Sequence, residues 1–216
     1  MAMIYIAILF FTLLAGEVKN LKISVLSLIP HCLFIVIAVF TIAYINEISS
    51  LYLIGTVDLL VRAILMPVFL FKCLKNRVET EEKPSISLPL SIALSIVVLS
   101  VGYHFIEIFK TSQLHQVLSS FPCGLTLFIY GLYLLLSKKD MVKMIISFFI
   151  IENGIHFLII SMIPHMSKLI EILLTFNFIV AVLFFVYLTV RLNEVFVQEE
   201  IKKFKESKSQ RTNNET

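Results

Sequence analysis

The chain has 216 residues, of which 58% are hydrophobic and only 15% charged, with 19 Phe, a formal net charge of +3 and a mean hydropathy of +0.94. A water-soluble domain of this length is nearer half apolar and a quarter charged, and it cannot hide such an excess in one core. Soluble enzymes, nucleic-acid binders and secreted disulfide scaffolds are excluded on that ground, and an all-α integral membrane protein surrounded by lipids is expected.

Crossing the hydrocarbon as a helix takes roughly 20 apolar residues. In chain order the sequence predicts seven spans, at 2–18, 23–45, 51–74, 88–109, 119–136, 141–163 and 168–192. The runs are continuously apolar and do not alternate every second residue, which favours helices over barrel strands. The first run opens MAMIYIAILFF with no basic segment and no small-x-small site after it, so a cleaved signal peptide is not expected. KNRVETEEKPSIS at 75–87 is the long connection of mixed charge. These runs divide the chain into a three-helix unit (1–74), a connection with a connector helix (75–118), a second three-helix unit (119–192) and a polar tail (193–216). In the tail Val197, Ile201 and Phe204 share a helical face, so a short amphipathic helix and a solvated end both stand.

Lys and Arg give the orientation. Fifteen fall on one side of the seven spans, among them Lys19, Lys22, Lys138, Lys139, Lys143 and the tail's basic residues. The opposite side has Lys110 and Lys168, and Arg62 is left inside a span. By the positive-inside rule the N-terminus is outside and the C-terminus cytoplasmic. Cys32, Cys73 and Cys123 lack CxxC or other metal-ligand spacing, which fits packing residues better than a thiolate cluster or a disulfide framework.

The two halves resemble each other. When Lys22 is registered with Lys143, NLKISVLSLIPHCLFIVI at 20–37 runs against MVKMIISFFIIENGIHFLI at 141–159, and His31 falls opposite Glu152. Further on, TVDLLVRA at 56–63 matches TFNFIVAV at 175–182, with Asp58 opposite Asn177 and Arg62 opposite Ala181. Spans one to three would then repeat as spans five to seven in the same direction, joined by span four. Chance likeness between apolar runs is the competing reading.

Ionisable groups deep in a span cost roughly 2.5–3.5 kcal/mol each on insertion scales and usually pair or line a pathway. Glu152 lies near the middle of the sixth span, followed by Asn153 and Gly154, with His156 one helical turn on and sharing its face. Either another helix holds it as a packing residue, or it takes up and releases a proton. Asp58 and Arg62, four apart on the third span, can form an intrahelical ion pair, which either seats the helix or acts as a charged switch. His31 follows Pro30 on the second span, and an interhelical hydrogen bond is its expected role. His104 with Glu107, and Glu171, lie near the outer boundary, where solvation accounts for them. No spacing of a haem, zinc or di-iron site and no Gly-rich phosphate loop is present, so no cofactor is expected in this chain.

IIENGIHFLI at 150–159, LIEILLTFNFIVAVL at 169–183 and VRAILMPVFL at 61–70 resemble the component E membrane subunit of hydrogenase-4-type complexes, which are complex-I-like, energy-converting nickel–iron hydrogenases. The resemblance covers most of the chain, and the ENG-x-H segment is its most specific part. The last three spans of that family are similar to the K subunit of complex I and the C subunit of Mrp-type sodium/proton antiporters. Glu152 matches the mid-membrane glutamate of the K subunit's middle helix, while Asn177 stands where a second acid is usual, a departure that puts a two-carboxyl mechanism in doubt. Arg62 matches a basic residue common in the family's first half.

The resemblance implies a non-redox membrane-arm subunit of a formate hydrogenlyase-type complex that couples hydrogen evolution to proton or sodium translocation. It would have no catalytic centre of its own. Its partners would be large antiporter-like subunits and the membrane anchor of the hydrogenase module, with the nickel–iron centre and iron–sulfur clusters held by other subunits. Two alternatives remain: a purely structural subunit of the same complex, and a free-standing small transporter. Pro30 and Pro67 have no partners in the second half, which counts against the transporter, since broken helices at matching points of the repeats are its mark.

Overall fold

The computed structural model describes residues 2–75, 88–111 and 120–162, together with the helical positions 180 and 187. Helix follows helix, and no strand occurs among the described residues. α1 (Ala2–Glu17) and α2 (Leu21–Ile45) are joined by three residues. The third of these, Asn20, caps α2 by accepting from the amides of Lys22 and Ile23 at 3.0 and 3.3 Å, which satisfies two donors that the helix cannot use itself. α3 (Ser49–Asp58), a π-helical segment (Leu59–Leu65) and α4 (Met66–Lys75) run on as one rod, followed by α5 (Leu88–Thr111), α6 (Phe121–Ser137) and α7 (Met141–Met162). Asp140 caps α7 by accepting from the amides of Val142 and Lys143. The first six expected spans each fall on these helices. The seventh, at 168–192, and the tail lie outside the described residues.

Three of the helices, Leu21–Ile45, Ser49–Lys72 and Val142–Ile160, are long and apolar enough to cross a membrane, and α1, α5 and α6 are shorter apolar helices. Large apolar side chains such as Met3, Phe10, Leu53, Val68 and Leu136 point outward, and Leu136 is 87% exposed. A soluble protein rarely leaves so much of its apolar surface in water, whereas lipid tails would solvate it without penalty. The described helices are those of a membrane protein.

Sequence explains the π segment. Pro67 has no amide hydrogen to offer the carbonyl of Ala63, and its ring crowds that carbonyl in a regular α-turn. The chain widens by one residue per turn just before it, and the amide of Met66 donates five residues back to Val61 instead of four. Such wide turns are common where a helix is adapted to a site, and here the turn carries Arg62.

Packing sets two pairs of helices. α1 lies on α2, and α6 on α7, while the α3–α4 rod packs on α2. Leu28, Ile35, Leu51, Leu70, Leu127, Phe149 and Phe157 fill the space between them. α6 and α7 approach through glycine, which lets their backbones touch. A Cβ at Gly154 would lie 2.5 Å from the amide nitrogen of Phe128 and 2.9 Å from the carbonyl of Gly124, and one at Gly131 would lie 2.8 Å from the amide nitrogen of Ile151. Those are backbone atoms that no rotamer change can move aside. Gly154→Val is therefore expected to lose about 1–3 kcal/mol through overpacking. It should lower the melting temperature in detergent micelles, while Leu136→Ala on the outer surface should leave it unchanged.

Candidate functional site

Arg62 sits in the π segment and is only 4% exposed, so its guanidinium, which keeps its charge and can only donate, must find acceptors inside the protein. It finds three. Nε donates to Asp58 Oδ1 at 2.8 Å, one turn back along the rod. Nη2 donates to Glu152 Oε1 at 2.6 Å, and Nη1 to Asn153 Oδ1 at 2.5 Å, both on α7. The second oxygen of Asp58 accepts from Nε2 of His156 at 2.7 Å. Two carboxylates, one guanidinium and one imidazole thus interlock α7 with the third helical rod near the middle of both.

A hydrogen-bonded arm leaves this cluster through α2 toward α1. The Asn153 amide nitrogen lies 3.1 Å from His31 Nε2, and His31 Nδ1 lies 3.0 Å from Thr12 Oγ1, which donates to the carbonyl of Ile8 at 2.6 Å. Seven buried polar residues on α1, α2, the α3–π rod and α7 make one network.

The structure therefore gathers Glu152, Asn153, His156, Asp58, Arg62 and His31 in one place, though the sequence had only paired Asp58 with Arg62 and set His156 beside Glu152. Asn177 and Glu171 lie outside the described residues, as does the side chain of Glu107; His104 is exposed on α5. Arg62 reaches across 90 residues of sequence to Glu152, so packing supplies a partner that no single helix could offer.

Two further clusters lie where α1 ends, α2 begins, α6 ends and α7 begins. Glu17 is buried and accepts from Ser91 and Ser95 of α5, each at 2.7 Å, and from the ammonium of Lys138 at 3.0 Å. Lys143 is 1% exposed and donates to the carbonyls of Ala15, Gly16 and Val18 at 2.9, 2.9 and 2.7 Å, and to Ser24 Oγ at 2.9 Å. Ser24 Oγ itself donates to Ala15 O. The ammonium thereby neutralises the negative end of α1 and satisfies carbonyls that have no partner along the helix. The sequence reading took Lys138 and Lys143 only as cytoplasmic charges, and it missed Thr12, Glu17, Ser91 and Ser95. The signal for Glu17 was there: an acid closing an apolar run, with two hydroxyls four apart on one face of span four. Lys22, the register mate of Lys143, is exposed, so this buried cap has no counterpart in the first half.

Among the described residues no group of three or more His, Cys, Asp or Glu is placed to hold a metal ion. Comparison of the chain with protein-family models, with curated proteins and with solved structures finds no match.

Breaking a buried pair on one side leaves an uncompensated charge, which costs about 3–5 kcal/mol. Arg62→Gln is expected to destabilise the protein by about that amount, and Arg62→Gln/Glu152→Gln by about 1–3 kcal/mol less than the two single changes added together. Unfolding of the four proteins in detergent micelles measures the cycle, and strict additivity would show that the 2.6 Å contact contributes nothing.

Proposed function

We propose that this chain is a non-redox subunit of the membrane arm of a formate hydrogenlyase-type nickel–iron hydrogenase, contributing to proton or sodium translocation coupled to hydrogen evolution. One observation carries the reading. A cluster of unlike charges is buried midway along two helices from opposite halves of the chain. Such a device suits transmission of charge within a membrane better than it suits binding of a substrate, because its described members point at each other.

The finer layout belongs to the same proposal. The chain has seven spans, with residues 1–74 and 119–192 as parallel repeats. Two facts support this: α1 with α2 and α6 with α7 are matching helix pairs, and α2 and α7 bring His31 and Asn153, one position from exact register, into hydrogen-bond contact. The N-terminus lies outside and the C-terminus in the cytoplasm of a cell membrane; the fifteen-to-two distribution of Lys and Arg supports this orientation. The partners are antiporter-like subunits and the membrane anchor of the hydrogenase module, and the nickel–iron centre and iron–sulfur clusters reside in other subunits.

A structural subunit of the same complex is the second reading. Its support is the three-fold grip on Arg62, which would tie the rod to α7 whether or not charge moves.

Affinity purification from native membranes is the first test. The chain should bring down other membrane subunits and a nickel-containing protein, whereas a stable monomer that binds a small solute would overturn the assignment. Glu152→Gln is the second. Gln is nearly isosteric and still accepts from Arg62, so subunit content should stay unchanged while ion uptake by vesicles during hydrogen evolution falls; Glu152→Asp should do less harm. Full coupling in the Gln variant would leave the structural reading in front.

A further inference from the structure

We propose that the oxygen cluster where α1, α5 and α6 meet is a binding site for one alkali-metal cation, which exchanges there with the ammonium of Lys138. The site is separate from the Arg62 cluster and does not depend on the relay reading.

Three helices supply its oxygens. Glu17 closes α1 and is buried, as are Ser91 and Ser95 of α5, whose spacing of one helical turn sets both hydroxyls on one face. Each carboxylate oxygen of Glu17 accepts from one serine at 2.7 Å, Oε2 from Ser91 and Oε1 from Ser95. From α6, Tyr133 Oη lies 3.1 Å from both the hydroxyl and the carbonyl oxygen of Ser91. Tyr130, on the same helix, is fully buried with its phenol against Gly16, where a Cβ would lie 2.7 Å from Oη. Glu17, Ser95 and Tyr133 are polar neighbours of this phenol, yet its hydroxyl makes no hydrogen bond among the described residues. Left so, a buried hydroxyl costs stability.

The direction of the bonds selects the class of ligand. Both serine hydrogens are spent on the carboxylate, and the Tyr133 hydrogen is spent on Ser91. What the cluster still offers is lone pairs, on Ser91 Oγ, Ser95 Oγ, the two phenol oxygens and Glu17. Those are hard oxygen ligands, which suit a cation of the alkali or alkaline-earth type and not a soft metal. A single carboxylate matches one positive charge, so a monovalent ion is the better fit.

Lys138 already demonstrates that preference. Its ammonium stands 3.0 Å from Glu17 Oε2 and 3.4 Å from Ser91 Oγ. Both distances exceed the roughly 2.7–2.9 Å of a close charge-assisted bond. Lys138 is the first residue after α6, on the three-residue turn into α7, and its flexible stem can carry the ammonium toward the membrane surface while the backbone stays in place. Exchange replaces one positive charge by another, so the charge inside the cluster is unchanged. The metal ion gains what the tethered ammonium leaves unused, the bare oxygen of Tyr130.

The test uses the full chain in lipid nanodiscs, with sodium as the probe and choline replacing it at constant ionic strength. A ligand that binds only the folded state raises the melting temperature as its concentration rises. Sodium should therefore raise the melting temperature of the unaltered chain, and ²²Na⁺ should bind saturably. Lys138→Met removes the tethered competitor: it should melt lower in choline, recover in sodium, and bind ²²Na⁺ at lower concentrations. Tyr130→Phe and Ser95→Ala each remove one ligand oxygen and should weaken both responses, while Tyr130→Phe in choline should melt no lower than the unaltered chain, since the lost hydroxyl had no partner. If Lys138→Met fails to fold, ²²Na⁺ binding by the unaltered chain and by Tyr130→Phe still decides the matter. A Lys138→Met protein equally destabilised in sodium and choline would show that the cluster is only a salt bridge and overturn the proposal. Sodium binding retained in full by both Tyr130→Phe and Ser95→Ala would place the ion elsewhere and overturn it too. None of these readouts needs turnover, so this site and the relay stand or fall separately.

Discussion

A guanidinium buried midway along a helix imposes conditions on everything around it, because it cannot discard its proton and cannot accept a hydrogen bond. Every direction in which Arg62 donates must end on oxygen, and the oxygens must come from side chains, since the helical backbone has already used its carbonyls. Asp58 is within reach along the same rod, but the remaining acceptors have to be brought from another helix. That requirement fixes α7 against the rod with Glu152 and Asn153 inward, and through Asn153 it reaches the His31 ring on α2. One charge thus orders a chain of groups on four helices.

Close packing makes this geometry reachable. Glu152, Asn153 and His156 lie on the stretch of α7 whose other face meets α6 through Gly154, backbone against backbone. A helix held that tightly cannot rotate to carry its polar face away from Arg62. At the end where α1 stops and α7 starts, the Lys143 ammonium ties the last carbonyls of α1 to the first turn of α7, and Glu17 with Lys138 ties α1 to the end of α6. The central cluster is therefore framed by two polar clamps at one end and by glycine contacts along its flank. The proposed charge relay would need such a frame, because a loose bundle would relax around each new charge and dissipate the effect.

The same features bear on the choice between a relay and a structural tie. A purely structural tie would be at least as stable if the ion pairs were replaced by apolar side chains of similar volume, since lipid offers no competing water and desolvating the charges is costly. Among the described residues the cluster instead sets two carboxylates and an imidazole about one guanidinium. That is more polar chemistry than a tie between helices requires, which favours the proposed relay.

Composition and run length alone determined that the chain is helical and apolar on its outside, placed the first six helices within a few residues, and singled out Glu152, Asn153, His156, Asp58, Arg62 and His31 as polar groups in apolar surroundings. These are one-dimensional properties: the cost of leaving a charge in hydrocarbon depends on where it sits in a run, whatever its neighbours prove to be. Which group meets which was decided by tertiary structure. Along single helices the sequence could pair Asp58 with Arg62, but only the packing of α7 against the rod gives Glu152 to Arg62 and His156 to Asp58. The π turn before Pro67, which carries Arg62, is likewise a response of the whole helix to a missing amide. Glu17, Lys138 and Lys143 went unread because a charge at the end of an apolar run looks solvated in sequence; they are buried because four helix ends converge there, and convergence is a property of the fold and not of any one segment.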